Sequence, residues 1–141
     1  MSKFQRSVHK HYNLHVTPAQ LYKARSLAAK KSEGAYVEQY ARLWDYCEEL
    51  KRRNPGSTIL VKTEIEGGRS RFQGLYVCFA ALKKGFLEGC RPVVGLDGCH
   101  IKGQHPGQLL AAIGIDANNG MHPVAYAIVE IEDRRTWTWF L

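Results

Sequence analysis

Three apolar runs in the last third of the chain, Val93–Ile101, Leu109–Asp116 and Val124–Ile131, constrain the fold more than any other feature. Each is apolar at consecutive positions, as in Leu109-Leu110-Ala111-Ala112-Ile113. That is the pattern of strands covered on both faces. The linkers, Lys102-Gly103-Gln104-His105-Pro106-Gly107 and Asn118-Asn119-Gly120, are turn-rich and too short for a crossover, so the runs must pair as antiparallel hairpins. One carboxylate, Asp97, interrupts the first run. Burying an unpaired carboxylate costs several kcal/mol, roughly, after relaxation, so its place there demands a purpose.

Upstream, the pattern predicts a helical hairpin followed by a β-hairpin. Thr17 can cap a helix, Pro18 suits its first position, and Gln20 completes a capping box. Leu21, Ala24, Leu27 and Ala28 then share one face, and Gly34 is expected to end the helix. A second helix, with Val37, Tyr40, Leu43, Trp44, Cys47 and Leu50 as its core stripe, is expected to stop at Asn54-Pro55-Gly56. His9-Lys10-His11 reads as a disordered basic arm. Ser57–Glu66 alternates as a strand, Gly67-Gly68 is a two-residue turn, and Arg69–Phe79 returns as its partner. A short helical turn over Ala80–Phe86 follows. Asp116 is expected to close the Asn118-Asn119-Gly120 turn through its side chain. Thr136 is expected to cap a final helix beginning at Trp137.

The fold class is therefore α+β, in three segments: a basic helical segment 1–56, a β-hairpin and short helix connector 57–90, and the meander 91–141. Five residues cannot hold a helix alone, and a Trp- and Phe-rich terminus would leave an apolar patch in water. The sequence is thus expected to stop within a fold. No apolar run reaches the ~18–20 residues of a membrane span, and the start lacks a signal peptide's apolar core. The four cysteines form no CxxC pair and read as buried free thiols. Cys99 and His100 are adjacent on a strand and point to opposite faces, so with Cys90, His105 and His122 they make no zinc-type site.

Charge is unevenly shared. The net charge is +7, of which residues 1–53 carry +6. A basic half joined to a near-neutral half suggests a polyanion, with nucleic acid the leading candidate. The residues expected to touch phosphate are Lys23, Arg25, Lys30, Lys31, Lys51, Arg52 and Arg53.

The stretch VVGLDGCHIKGQHPGQLLAAIGIDANNGMHPVAYAIVEIEDRRTWTWFL resembles the opening of the catalytic domain of Mutator-like element transposases of plants. Thr17-Pro18, Glu38-Gln39-Tyr40 and Asn54-Pro55-Gly56-Ser57-Thr58 are similar to the segment upstream of that domain. The resemblance implies a ribonuclease-H-like fold, a nuclear location, DNA as partner, and an Asp-Asp-Glu triad holding two Mg²⁺ or Mn²⁺ ions for strand cleavage and transfer. Asp97 matches the first aspartate and would be the metal ligand. The other two triad positions lie beyond the matching stretch, so the expectation is a truncated transposase without activity, with no complete metal site of its own. It would keep weak non-specific DNA binding and could pair with full-length transposases. The alternative is a transposase-derived transcriptional regulator.

Two metal ions about 3.5–4 Å apart need carboxylates that converge. Turns centred near Gln104-His105 and Asn119 put Asp97 opposite Ala112, and Ala112 opposite Tyr126. Asp116 and Glu130 then fall four residues from the Asp97 row in opposite directions, roughly 13 Å each. On this register no local carboxylate joins Asp97.

Overall fold

The computed structural model describes residues 3–103 and 105–141. The chain forms two compact units, Met1–Leu43 and Trp44–Leu141. The first holds helices α1 (Lys3–Tyr12) and α2 (Pro18–Ala41). The segment read as a disordered arm is thus helical, with His9, Lys10 and His11 in its last turn, where positive charge suits the helix dipole. The residues after α1 fold back along it. Gln5 Nε2 donates to Val16 O at 3.2 Å, and the His9 and His15 rings lie 4.2 Å apart. Thr17 caps α2 as expected, with Gln20 N donating to its Oγ1 and Thr17 N to Gln20 Oε1.

Gly34 does not end α2, which runs on to Ala41. A helical glycine costs only about 1 kcal/mol relative to alanine, so neighbours can carry it. The interruption comes instead at Arg42, before helix α3 (Leu43–Arg53). The supposed core stripe is therefore divided between two helices, and half of it stays in water: Val37 is 68% exposed, Tyr40 45% and Trp44 52%. Among the stripe residues, only Cys47 is buried.

The second unit is built on a five-stranded antiparallel sheet in the order β1-β2-β5-β4-β3. Its strands are β1 (Thr58–Glu66), β2 (Arg69–Cys78), β3 (Cys90–Ile101), β4 (Gly107–Asp116) and β5 (Met121–Val129). Gly67 and Gly68 turn the first hairpin with φ of 57° and 77°, which glycine adopts without steric cost. Asp116 Oδ1 accepts from Asn118 N and Gly120 N and closes the β4–β5 turn. Helix α4 (Ala80–Gly89) connects β2 to β3. Its first N–H, on Ala80, is satisfied from a distance by Ser57 Oγ at 3.0 Å.

Helix α5 (Arg134–Phe140) lies over one face of this sheet. Leu110, Ala112, Ala125, Ala127, Val129 and Phe140 form a buried cluster there, with Tyr76, Trp137 and Trp139 packed against it. The Tyr76 ring meets Trp139 and Phe140 edge-on at 6.2 and 5.6 Å, a favourable aromatic geometry. So the terminal aromatics are largely covered rather than left as an open patch, although Leu141 remains exposed. Asp133, not Thr136, is the cap: its Oδ1 accepts from Thr136 N at 2.7 Å and from the Thr136 hydroxyl at 2.8 Å. Phe86 of α4 covers the same face at Gly114, where an added Cβ would sit 2.5 Å from the ring. The opposite face buries Ile59, Leu75 and Val77. Tyr46 of α3 approaches Tyr126 there, whose hydroxyl pKa is raised by burial and secondarily by Tyr46.

Strand β3 departs from the expected double cover. It is an edge strand, exposed along most of its length, with Val93, Val94 and Leu96 open to water. The cysteines are free, but only Cys47 is buried and Cys99 is exposed.

The Asp133 cap predicts a pH-dependent variant. Hydrogen bonds from the Thr136 backbone, then its hydroxyl, hold the Asp133 carboxyl below its ordinary pKa. A depressed folded-state pKa gives stability that is present above the unfolded value and lost as pH falls through the folded one. Asp133→Ala should therefore lower the urea midpoint at pH 7, and the gap from the parent should close on acidification below the carboxylate range. A gap that stays constant with pH would contradict the assignment.

Candidate functional site

Asp97 sits in the middle of β3, on a row that crosses all five strands: Asp97 opposite Ala111, then Tyr126, Val77 and Ile59. The register differs from the expected one by one residue at each hairpin. The first turn centre falls partly on Gln104, which lies outside the described residues, but the ladder itself pairs Asp97 with Ala111 rather than Ala112. In the second hairpin, Ala112 pairs with Ala125 and Ile113 with Pro123, leaving Val124 as an extra residue. Proline has no N–H to give the ladder, and a bulge beside it absorbs the defect.

The Asp97 side chain is exposed, and its Oδ1 accepts from the N–H of Gly98 at 2.9 Å. The other acidic residues of the region are held elsewhere. Asp116 is five residues from Ala111 along β4, roughly 17 Å, and Glu130 is four from Tyr126 in the opposite direction, roughly 13 Å. Glu130 accepts from Arg71 at 2.9 Å, and Asp116 closes its turn. Glu132 approaches the residue next to Asp97. Its carboxylate lies against Gly98, where an added Cβ would be 2.6 Å from Oε2, and it accepts from Trp137 Nε1 at 3.1 Å. Successive residues of a strand face opposite sides of the sheet, so Glu132 covers the face that Asp97 turns away from. The hairpin register alone gives no sign of this approach, because Glu132 lies past the end of β5 and returns only with the chain's turn into α5.

Among the described residues, no group of three His, Cys, Asp or Glu side chains could hold a metal ion. The donor set around Asp97 therefore does not fit a pair of divalent cations, which needs several converging carboxylates. A polar cleft of about 250 Å³ opens between β1, β2 and the start of α5, but Asp97 is not part of its wall. Its Arg71 is paired with Glu66 and Glu130, and its Lys62 lies over the Trp139 ring at 5.6 Å.

The seven expected phosphate contacts fall into two groups. Lys23, Arg25, Lys30 and Lys31 are exposed along α2. Lys51, Arg52 and Arg53 share the last turn of α3. There Lys51 pairs with Glu48 at 2.9 Å, while Arg52 and Arg53 both pair with Glu49 at 2.7 and 2.6 Å. Glu49 has its pKa lowered by Arg52 and then Arg53. With Asp45, α3 carries as many acids as bases. Arg134 and Arg135 open α5, where Arg135 lies 3.5 Å from Asp133.

Residues 93–141 match the family model of the MULE transposase domain. The matched stretch begins within β3, includes Asp97, and runs through β4, β5 and α5. No curated protein and no solved structure matches the chain. The mixed fold and its antiparallel meander agree with the expected α+β class. No helix among the described residues is long and apolar enough to cross a membrane.

Among the described residues, the one partner of Asp97 is the Gly98 N–H, which an amide oxygen can also accept. Asp97→Asn should accordingly leave stability to urea within about 0.5 kcal/mol of the parent, as for ordinary surface positions. A loss well above that would give the carboxylate a structural role.

Proposed function

We propose that this chain is a transposase-family protein whose basic N-terminal helices hold DNA and whose Asp97 is one metal-ligand position of a ribonuclease-H-like catalytic fold. The family match over the segment that contains Asp97 carries this reading. The three antiparallel strands β3, β4 and β5 support it, since such a meander opens that fold. In this reading Mg²⁺ or Mn²⁺ is the ion such a carboxylate would serve, and the nucleus is where the protein meets chromosomal DNA.

The same reading makes these 141 residues inactive on their own. Metal-assisted strand cleavage needs ions clamped on both the attacking and the leaving oxygen. Asp97 offers one carboxylate, while Asp116, Glu130, Glu132 and Asp133 are each committed to a turn, an ion pair, an indole or a helix cap. What these residues contribute is a folded sheet and an electrostatic hold on DNA.

Two outcomes are expected. Purified chain incubated with supercoiled plasmid and Mg²⁺ or Mn²⁺ should leave the plasmid uncut; nicking that disappears in Asp97→Asn would overturn the inactivity. Fluorescence anisotropy with a labelled duplex should show binding at low salt that falls steeply as salt rises, because released counterions drive the association. Absence of binding at low salt would remove DNA from the reading.

A further inference from the structure

The charge of this chain is more sharply divided than its halves suggest. Residues 1–32 contain seven Lys or Arg and not one Asp or Glu, whereas residues 33–141 contain thirteen of each. The whole net charge of +7 therefore belongs to α1, its connection to α2, and α2 as far as Lys31.

On helix α3 each cation has a glutamate three or four residues away. Lys3, Arg6, Lys10, Lys23 and Arg25 have no such partner among the described residues, and all five are exposed. In α1, Lys3, Arg6 and Lys10 are spaced three and four residues apart, so they stand on one helical face. Seven residues of helix span roughly 10 Å. Along one strand of duplex DNA the phosphates fall about every 3.4 Å of axis, so that length runs past about three of them. The ridge can meet phosphate wherever it lands, without reading a base. Phe4, Val8 and Tyr12 fall on roughly the opposite face of the helix, so the basic ridge is not broken by apolar residues.

We infer that Lys3, Arg6 and Lys10 form a phosphate-contacting ridge that, with the acid-free start of α2, provides the DNA contact of this chain, and that Lys51, Arg52 and Arg53 contribute little. This rests on the DNA reading above and goes beyond it by assigning α1 a role and relieving α3 of one. The paired Lys51, Arg52 and Arg53 of α3 would have to break their ion pairs before they could release counterions from DNA.

The test is anisotropy of a labelled duplex against the full chain over a range of salt concentrations. K3Q/R6Q/K10Q should weaken binding at least tenfold at low salt and lower the slope of log K against log salt by about three, about one for each phosphate no longer engaged. K51Q/R52Q/R53Q should bind within about twofold of the parent, with an unchanged slope. Each single variant, K3Q, R6Q or K10Q, should lower the slope by about one, which keeps the inference testable if the triple variant loses helicity by circular dichroism. K3R/K10R keeps the charge and should bind like the parent. If the α3 variant lowers the slope and the α1 variants do not, the inference is wrong while DNA binding stands. If the parent ignores DNA at low salt but binds vesicles containing phosphatidylserine, both the inference and the DNA reading are wrong, and α1 is a membrane-surface helix.

Discussion

Four residue pairs between β2 and β5, from Gly74 opposite Val129 to Val77 opposite Tyr126, fuse a hairpin and a meander into a single sheet. Neither piece would be adequate alone, since two- and three-stranded antiparallel sheets are marginal without a covered face. The join creates a surface wide enough for the aromatic cluster of α5. At one end of the join a small residue is needed: a Cβ on Gly74 would lie 3.2 Å from the Trp139 ring and 3.3 Å from Ile128 O. Tyr76, on the same strand, then closes against Trp139 and Phe140. Backbone pairing and aromatic packing thus reinforce each other at one place, and the β3 edge lies at the far side of the sheet from it.

That asymmetry explains the setting of Asp97. The sheet interior is apolar on both faces around β2 and β5, where an unpaired carboxylate would be costly. On the exposed edge strand the same carboxylate is hydrated and adds no such penalty. The surrounding acids are spent on local structure. Asp116 shapes a turn, Asp133 caps a helix, Glu130 holds Arg71, and Glu132 accepts from Trp137 over Gly98. A carboxylate committed to backbone N–H groups or to an arginine is poorly placed to turn toward a metal. The geometry therefore keeps Asp97 apart from the acids that stabilise the fold.

Charge is organised by unit as well. Within Trp44–Leu141 most cations on α3 and in the polar cleft have an acidic partner, and the sum is nearly neutral. Within Met1–Leu43 the first acid comes at residue 33, after seven Lys or Arg. A helix with no acidic partners for its cations repels itself, a cost that a polyanion removes on binding. The helical start of the chain was not legible as such, because His9-Lys10-His11 carries no cap signal. Its order comes from Gln5, Val16 and the close, tilted rings of His9 and His15, residues whose approach depends on the fold-back after Tyr12.

The sequence by itself determined the local units. Gly67-Gly68 and Asp116 with Asn118-Asn119-Gly120 settled the hairpins, Thr17-Pro18 with Gln20 settled a helix start, and the apolar runs settled the antiparallel meander, because each depends on neighbours within a few residues. Only tertiary structure decided where the sheet was joined, which strand became its edge, and that Trp137, Trp139 and Phe140 were covered rather than bare. It also decided the one-residue shift that puts Asp97 opposite Ala111, and the placement of Glu132 over Gly98. These outcomes depend on bulges, edges and returns of the chain. They are set by which distant surfaces fit together, and no window of adjacent residues carries that information.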